Sequence, residues 1–270
     1  MRLAGTAGRV VIGTLLAGAL FAIVMLAPGW VLAAIVAAWA VLATLEFIRL
    51  LRIAEIHLHP WLTAALNVAI VGAAWRGWLP GFLVAPLGIV FLAAVVARDP
   101  QPRVPVYGVF LLIYLGFLPA HLVMLERAAA ARGLSTWVVF FPLILTWVND
   151  TGGLLFGRLL GRRPLTPRLS PKKTWEGYIA GLVCSAAFAG LVLPRLEPFA
   201  RLPWPYLAVV GIGLGTLSQV GDLFESLFKR AVGVKDSSAV LGEHGGFLDR
   251  VDSLLFTIPA WYYLLLLYRT

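Results

Sequence analysis

The chain has 270 residues, of which 60% are hydrophobic and 13% charged, against roughly 25% charged in a typical soluble domain. A mean hydropathy of +0.89 excludes hiding so much apolar surface inside one soluble core of this size, and leaves lipid as its solvent. The apolar runs are continuous rather than alternating, which excludes a β-barrel and leaves helices to satisfy the backbone. The formal net charge of +9 reads as basic cytoplasmic loops meeting anionic headgroups. It does not read as nucleic-acid binding, because no basic stretch interleaves with aromatics as in a known module. The single Cys184 excludes an intrachain disulfide and reads as a buried, inert thiol.

In chain order, spans are expected near Val10–Leu26, Trp30–Phe47, Trp61–Trp75, Leu79–Ala97 and Val104–Leu125. Further spans are expected near Leu134–Val148, Tyr178–Leu193, Tyr206–Val220 and Leu254–Tyr268. The run following Met1, Arg2 and Arg9 is read as a first span rather than a signal peptide, because later apolar runs follow it. Several runs are short, so their helices should extend into flanking polar sequence. Pro28-Gly29 and Pro80-Gly81 mark turns between neighbouring spans. With the N-terminus placed in the cytoplasm, 16 of the 22 Lys and Arg residues fall inside and 6 outside. The expected fold is therefore all-α: a polytopic integral membrane protein of about nine transmembrane helices, N-terminus cytoplasmic and C-terminus outside. Residues 1–270 read as one domain, with 1–130 mostly apolar helices and the chemistry in 145–255, facing the cytoplasm.

The first polar stretch, 149–177, opens with Asn149-Asp150-Thr151-Gly152-Gly153. Asp150 follows a strongly apolar run, so it sits at or just inside the membrane boundary, where an ionisable group points to function. Gly153, Gly157 and Gly161 recur every four residues, the pattern of close helix packing. Ser170-Pro171-Lys172-Lys173-Thr174 sets two ammonium groups beside hydroxyls. Such a set can hold a phosphate, or simply form a solvated basic loop.

The second polar stretch, 221–252, carries Asp222, Glu225, Asp249 and Asp252 interleaved with Lys229, Arg230, Lys235 and Arg250. Asp222 and Glu225 share a helical face by spacing, as do Asp249 and Asp252. Carboxylates gathered at headgroup level repel one another unless a cation joins them, and Mg²⁺ prefers such oxygen ligands together with phosphate. Acids, bases and Gly245-Gly246 together suit a metal-assisted nucleotide site; a salt-bridged loop is the plainer alternative. His244 has no second His or Cys near it, which argues against zinc and leaves its role open.

The run Ser226-Leu227-Phe228-Lys229-Arg230, then Lys235-Asp236, then His244-Gly245-Gly246-Phe247-Leu248-Asp249-Arg250-Val251-Asp252 resembles the signature of the phosphatidate cytidylyltransferases (CDP-diacylglycerol synthases). Asn149-Asp150-Thr151-Gly152 and Ser170 through Gly177 resemble a second block of that family, and Glu46-Phe47 resembles an early one more weakly. Gly242 departs from the proline often found there. The resemblance implies a polytopic helical enzyme, a homodimer in the plasma or inner membrane. It would condense CTP with phosphatidate to CDP-diacylglycerol and pyrophosphate, using Mg²⁺ and leaving a second cation open.

On that basis Asp222 and Asp249 are expected as metal ligands, with Asp252 and Asp150 as further candidates. Lys172, Lys173, Lys229, Arg230, Lys235 and Arg250 are expected phosphate contacts. Ser170, Thr174 and Asn149 are expected to assist in substrate binding, and His244 to lie near the nucleotide or metal. A transporter is the main rival, but the early spans contain almost no ionisable residue besides Glu46. The run of the CDP-alcohol phosphotransferases is absent, and a silent scaffold relative would not need these acids and bases.

Overall fold

The structure is a computed structural model that describes residues 28–79, 81–97, 101–234, 237 and 246–268. The expected span Val10–Leu26 lies outside the described residues. The helices are α1 (Gly29–Ile53), α2 (Pro60–Arg76), α3 (Val84–Val95), α4 (Arg103–Ala131), α5 (Trp137–Leu160), α6 (Trp175–Val192), α7 (Trp204–Ala231) and α8 (Leu254–Leu267). Each coincides with one of the other expected runs. Among the described residues, five helices (α1, α4, α5, α6 with its 3₁₀ extension to Arg195, and α7) are long and apolar enough to cross a membrane. α2, α3 and α8, with 17, 12 and 14 residues, are shorter than a full crossing needs. The described helices fit a multi-pass membrane protein. Exposed Leu155, Leu159, Ile179, Val183 and Val209 suit a surface wetted by lipid.

Local chemistry sets the helix ends. His59 caps α2 by accepting from Leu62 N–H at 3.1 Å; Pro60 follows at a position where its missing donor costs nothing. Gly77 closes α2 in the left-handed conformation, φ +80°. The helix over 103–131 passes through a π-helical turn, Leu112–Phe117, just before Pro119.

The described residues fit the expected all-α membrane fold, with one short addition in the polar stretch: Pro164–Thr166 (β1) and Ser170–Thr174 (β2) pair as an antiparallel hairpin. Pro164, Pro167 and Pro171 crowd this segment, and proline removes a helical donor and fixes φ. Leu160 therefore ends α5, and the chain turns back before α6. Glu176 secures the turn, its carboxylate accepting from Arg162 N–H at 3.0 Å and Arg163 N–H at 3.2 Å.

The four-residue glycine spacing does what close packing requires. A side-chain carbon on Gly177 would lie 2.7 Å from the Gly153 carbonyl and 2.9 Å from Gly157 Cα. One on Gly181 would meet the Asn149 carbonyl at 2.9 Å. α5 and α6 therefore touch backbone to backbone, which van der Waals packing in lipid rewards. At the other end of the bundle the core is aromatic. Phe141, Phe199 and Trp261 pack together, and buried Trp261 donates from its indole to the Val138 carbonyl at 2.8 Å.

Candidate active site

α5 and α7 continue well past their apolar runs, so most of the polar residues of interest are helical rather than on loops. Asp150 stands on α5, three turns before its end. Asp222, Glu225, Lys229 and Arg230 stand on the last three turns of α7. The hairpin carries Lys172 and Lys173 on β2 across to face them.

These elements enclose a cavity of about 620 Å³. Asn149, Asp150, Arg158, Lys172, Lys173, Thr174, Tyr178, Gln219 and Asp222 contribute to its lining. Lys173 and Asp222 form an ion pair inside it. Asp150 lies within electrostatic reach of Asp222, Asp252 and Lys173. Thr174 serves locally as the cap of α6, its hydroxyl accepting from Gly177 N–H at 3.2 Å. Asn149 is buried and accepts from the Ser185 hydroxyl at 3.2 Å. Ser170 pairs with Thr166 in the hairpin and is not among the residues lining the cavity.

A second set of charges lies where α7 meets the short 3₁₀ turn Leu248–Arg250. Lys229 Nζ is 2.5 Å from Asp249 Oδ1 and 3.3 Å from Glu225 Oε1. The other Asp249 oxygen accepts from Gly246 N–H at 2.7 Å, Ser237 N–H at 3.1 Å and the Ser237 hydroxyl at 3.0 Å. Burial alone would raise the Asp249 carboxyl, but Lys229 and these donors outweigh it and hold the group down at about 2. Asp252 is also buried; its carboxylate accepts from Ser253 N–H at 2.5 Å and the Ser253 hydroxyl at 3.1 Å. Burial, and next the charge of Asp222, push the Asp252 carboxyl above the usual carboxylate range. Asp252 thus links the two sets. Its backbone carbonyl lies against Gly221, where any side chain would collide with it.

The expected residues therefore fall in two connected groups. Lys172, Lys173, Asn149, Asp150 and Asp222 share the cavity, and Lys229, Asp249 and Asp252 sit behind it. Arg230 points elsewhere: it donates to the Leu169 carbonyl at 3.1 Å and the Val234 carbonyl at 3.0 Å, bracing the hairpin tip. Arg250 lies exposed at the end of the 3₁₀ turn. Lys235 and His244 lie outside the described residues.

Three residues were missed or passed over on sequence. Gln219 lines the cavity, and among the described residues its buried amide nitrogen meets no hydrogen-bond partner. Its position three residues before Asp222, on the same helical face, was the available signal. Arg158, two turns after Asp150, lines the cavity as well. Glu46 carries the third contribution: its carboxylate accepts from Phe247 N–H at 3.0 Å and Leu248 N–H at 2.9 Å.

Whether these residues suit Mg²⁺ can be judged from their donors. Among the described residues no three His, Cys, Asp or Glu side chains converge as a ready cage. Yet Glu225 is fully buried beside Asp249 and Asp252, paired with Lys229, and among the described residues its Oε2 meets no hydrogen-bond donor. These buried carboxyl oxygens, behind the cavity aspartates Asp150 and Asp222, are the ligand type a hard cation takes. Mg²⁺ characteristically takes one or two carboxylates and completes its shell with water and substrate phosphates, so a full protein cage is not required.

Comparison with known proteins finds relatives named as phosphatidate cytidylyltransferases. A phosphatidate cytidylyltransferase of Staphylococcus saprophyticus is 45% identical over 121 residues, covering 45% of this chain and 46% of that one. The phosphatidate cytidylyltransferase of Bacillus subtilis is 41% identical over 130 residues, 48% of each chain. That of Aquifex aeolicus is 36% identical over 153 residues, 57% of this chain and 54% of that one. The chain thus aligns with about half the length of these relatives. The profile of the Cytidylyltransferase family spans much more, matching residues 7–268, and the chain belongs to that family.

Proposed function

We propose that this protein transfers the cytidylyl group of CTP to phosphatidate, forming CDP-diacylglycerol and pyrophosphate. The names of its relatives support the reaction class. The observation that carries the reading is one cavity, at the polar end of a lipid-facing bundle, holding Lys172 and Lys173 beside Asp150 and Asp222. Two polyanions must meet there, and the two lysines offset the repulsion between them.

The phosphatidate phosphate is already ionised, so an oxygen of it can attack the α-phosphorus of CTP without a strong base. The new phosphorus–oxygen bond forms as the bond to the bridging oxygen breaks, and the electron pair leaves with pyrophosphate. Lys172 and Lys173 offset charge on the triphosphate. Arg158 and the amide of Gln219, both lining the cavity, offer further donors to phosphoryl oxygens. Asp222 holds Lys173 in place until substrate enters. The turn carrying Asp249, fixed by Lys229, closes the back of the site. Mg²⁺, taken by Asp222 and Asp252 with phosphate oxygens, would supply charge neutralisation to the leaving pyrophosphate.

The same reading places the site on the cytoplasmic side of the plasma membrane, where CTP is found, and treats the enzyme as a homodimer. Purified protein in detergent, given labelled CTP, phosphatidate and Mg²⁺, should form labelled CDP-diacylglycerol and lose that activity on chelation. Absence of lipid-linked label under all metal conditions contradicts the proposal.

A further inference from the structure

The charge that controls the turn bearing Asp249 comes from the opposite half of the chain. Glu46 lies near the end of α1 and is 3% exposed, with buried Ala43, Phe47 and Leu50 nearby on its own helix. Its Oε1 accepts from Phe247 N–H at 3.0 Å; its Oε2 accepts from Leu248 N–H at 2.9 Å and from the Ser237 hydroxyl at 3.3 Å. Those two N–H groups open the 3₁₀ turn Leu248–Arg250. They are the orphan donors such a turn leaves, and a carboxylate is the strongest acceptor for them.

The same Ser237 hydroxyl also donates to Asp249 at 3.0 Å, and Gly246 N–H donates to Asp249 at 2.7 Å. Glu46 and Asp249 therefore grip one short stretch of backbone from two sides. Gly246 fits between them because a side-chain carbon there would come within 2.7 Å of Glu46 Oε2 and collide with the Ser237 hydroxyl. Glu46 stands on a helix with no residue in the described cavity lining, yet it reaches the turn that carries Asp249.

We infer that Glu46 is a positioning residue for the reaction: it fixes the 246–249 turn, and through it the Asp249 carboxylate and the Lys229 ammonium. This rests on the cytidylyltransferase reading of the site. Glutamine is nearly isosteric but has one accepting oxygen, so Glu46→Gln turns an NH₂ group toward a backbone N–H and releases one side of the grip. Misplacing a group by about 1 Å commonly costs on the order of a hundredfold in rate.

The test is a double-mutant cycle in full-length, detergent-purified protein, with backbone hydrogen exchange as a second readout. Glu46→Gln should lower kcat about tenfold to a hundredfold while KM for CTP changes by no more than about twofold. Exchange at Phe247 and Leu248 should speed up while the aromatic core around Trp261 keeps its protection. In an Asp249→Asn background, Glu46→Gln should cost almost nothing further, because residues acting through one another are not additive. Wild-type kcat in Glu46→Gln, or a full additional loss on top of Asp249→Asn, overturns the inference. Inactive wild-type protein overturns the underlying reaction instead, and the exchange data then still decide whether Glu46 holds the turn.

Discussion

Lys173 on β2 and Asp222 on α7, 49 residues apart in sequence, meet as an ion pair across the cavity. Neither is fully buried, so a polyanionic ligand can compete for the lysine. The pair holds the site in register before substrate arrives and gives way to phosphate afterwards. Lys173→Met should therefore lower kcat/KM by on the order of a hundredfold or more, as loss of one preorganised charge contact to a developing anion does. Steady-state kinetics with varied CTP checks this; Lys173→Arg should recover only part of the loss, because a guanidinium does not substitute for a point charge.

The α5–α6 seam makes a stability prediction. Gly177→Ala places a methyl 2.7 Å from the Gly153 carbonyl and 2.9 Å from Gly157 Cα, both backbone atoms with nowhere to move. Overpacking of this kind costs about 1–3 kcal/mol. The variant should melt at a lower temperature in detergent, and because the hairpin rides on this seam, it should lose activity too. Gly213→Ala, whose new methyl meets nothing within 4 Å, should do neither.

Asp252 and Asp249 should oppose each other in their response to pH. Burial and the charge of Asp222 raise the Asp252 carboxyl, so the folded chain holds a proton there that the unfolded chain has already lost. Its contribution to stability thus falls as pH rises out of the ordinary carboxylate range. Asp249 is held at about 2 by Lys229 and backbone donors, against its burial, so its contribution is present at neutral pH and disappears as pH drops toward 2. Thermal unfolding in detergent should show Asp252→Asn gaining on wild type as pH rises from 4 to 7, and Asp249→Asn losing ground as pH rises from about 2 to 4.

Much of this was legible in the sequence, for identifiable reasons. Apolar run length located the helices because lipid enforces it on each segment separately. The four-residue glycine spacing announced the α5–α6 contact because that contact is a property of one helix face. The family resemblance named Asp222, Asp249, Lys172 and Lys173 before any geometry was known. What escaped was non-local. The proline-rich segment reads as a loop until its two halves pair, so the hairpin was missed. Arg230 looks like a phosphate ligand by composition, yet its donors are aimed at the Leu169 and Val234 carbonyls. Glu46 looked like a lone boundary acid because its partners, Phe247 and Leu248, stand 201 and 202 residues away. Hydrophobic period carries no record of such distances.

The central claim is that carboxylates at the polar end of the bundle gather a cation that lets CTP approach a lipid phosphate. The direct measurement is CDP-diacylglycerol formation by Asp222→Asn and Asp252→Asn, each across a Mg²⁺ titration beside wild type. The account predicts that both lose about a hundredfold or more in kcat and that excess Mg²⁺ does not restore either. Near-wild-type turnover in both variants at every Mg²⁺ concentration would contradict it.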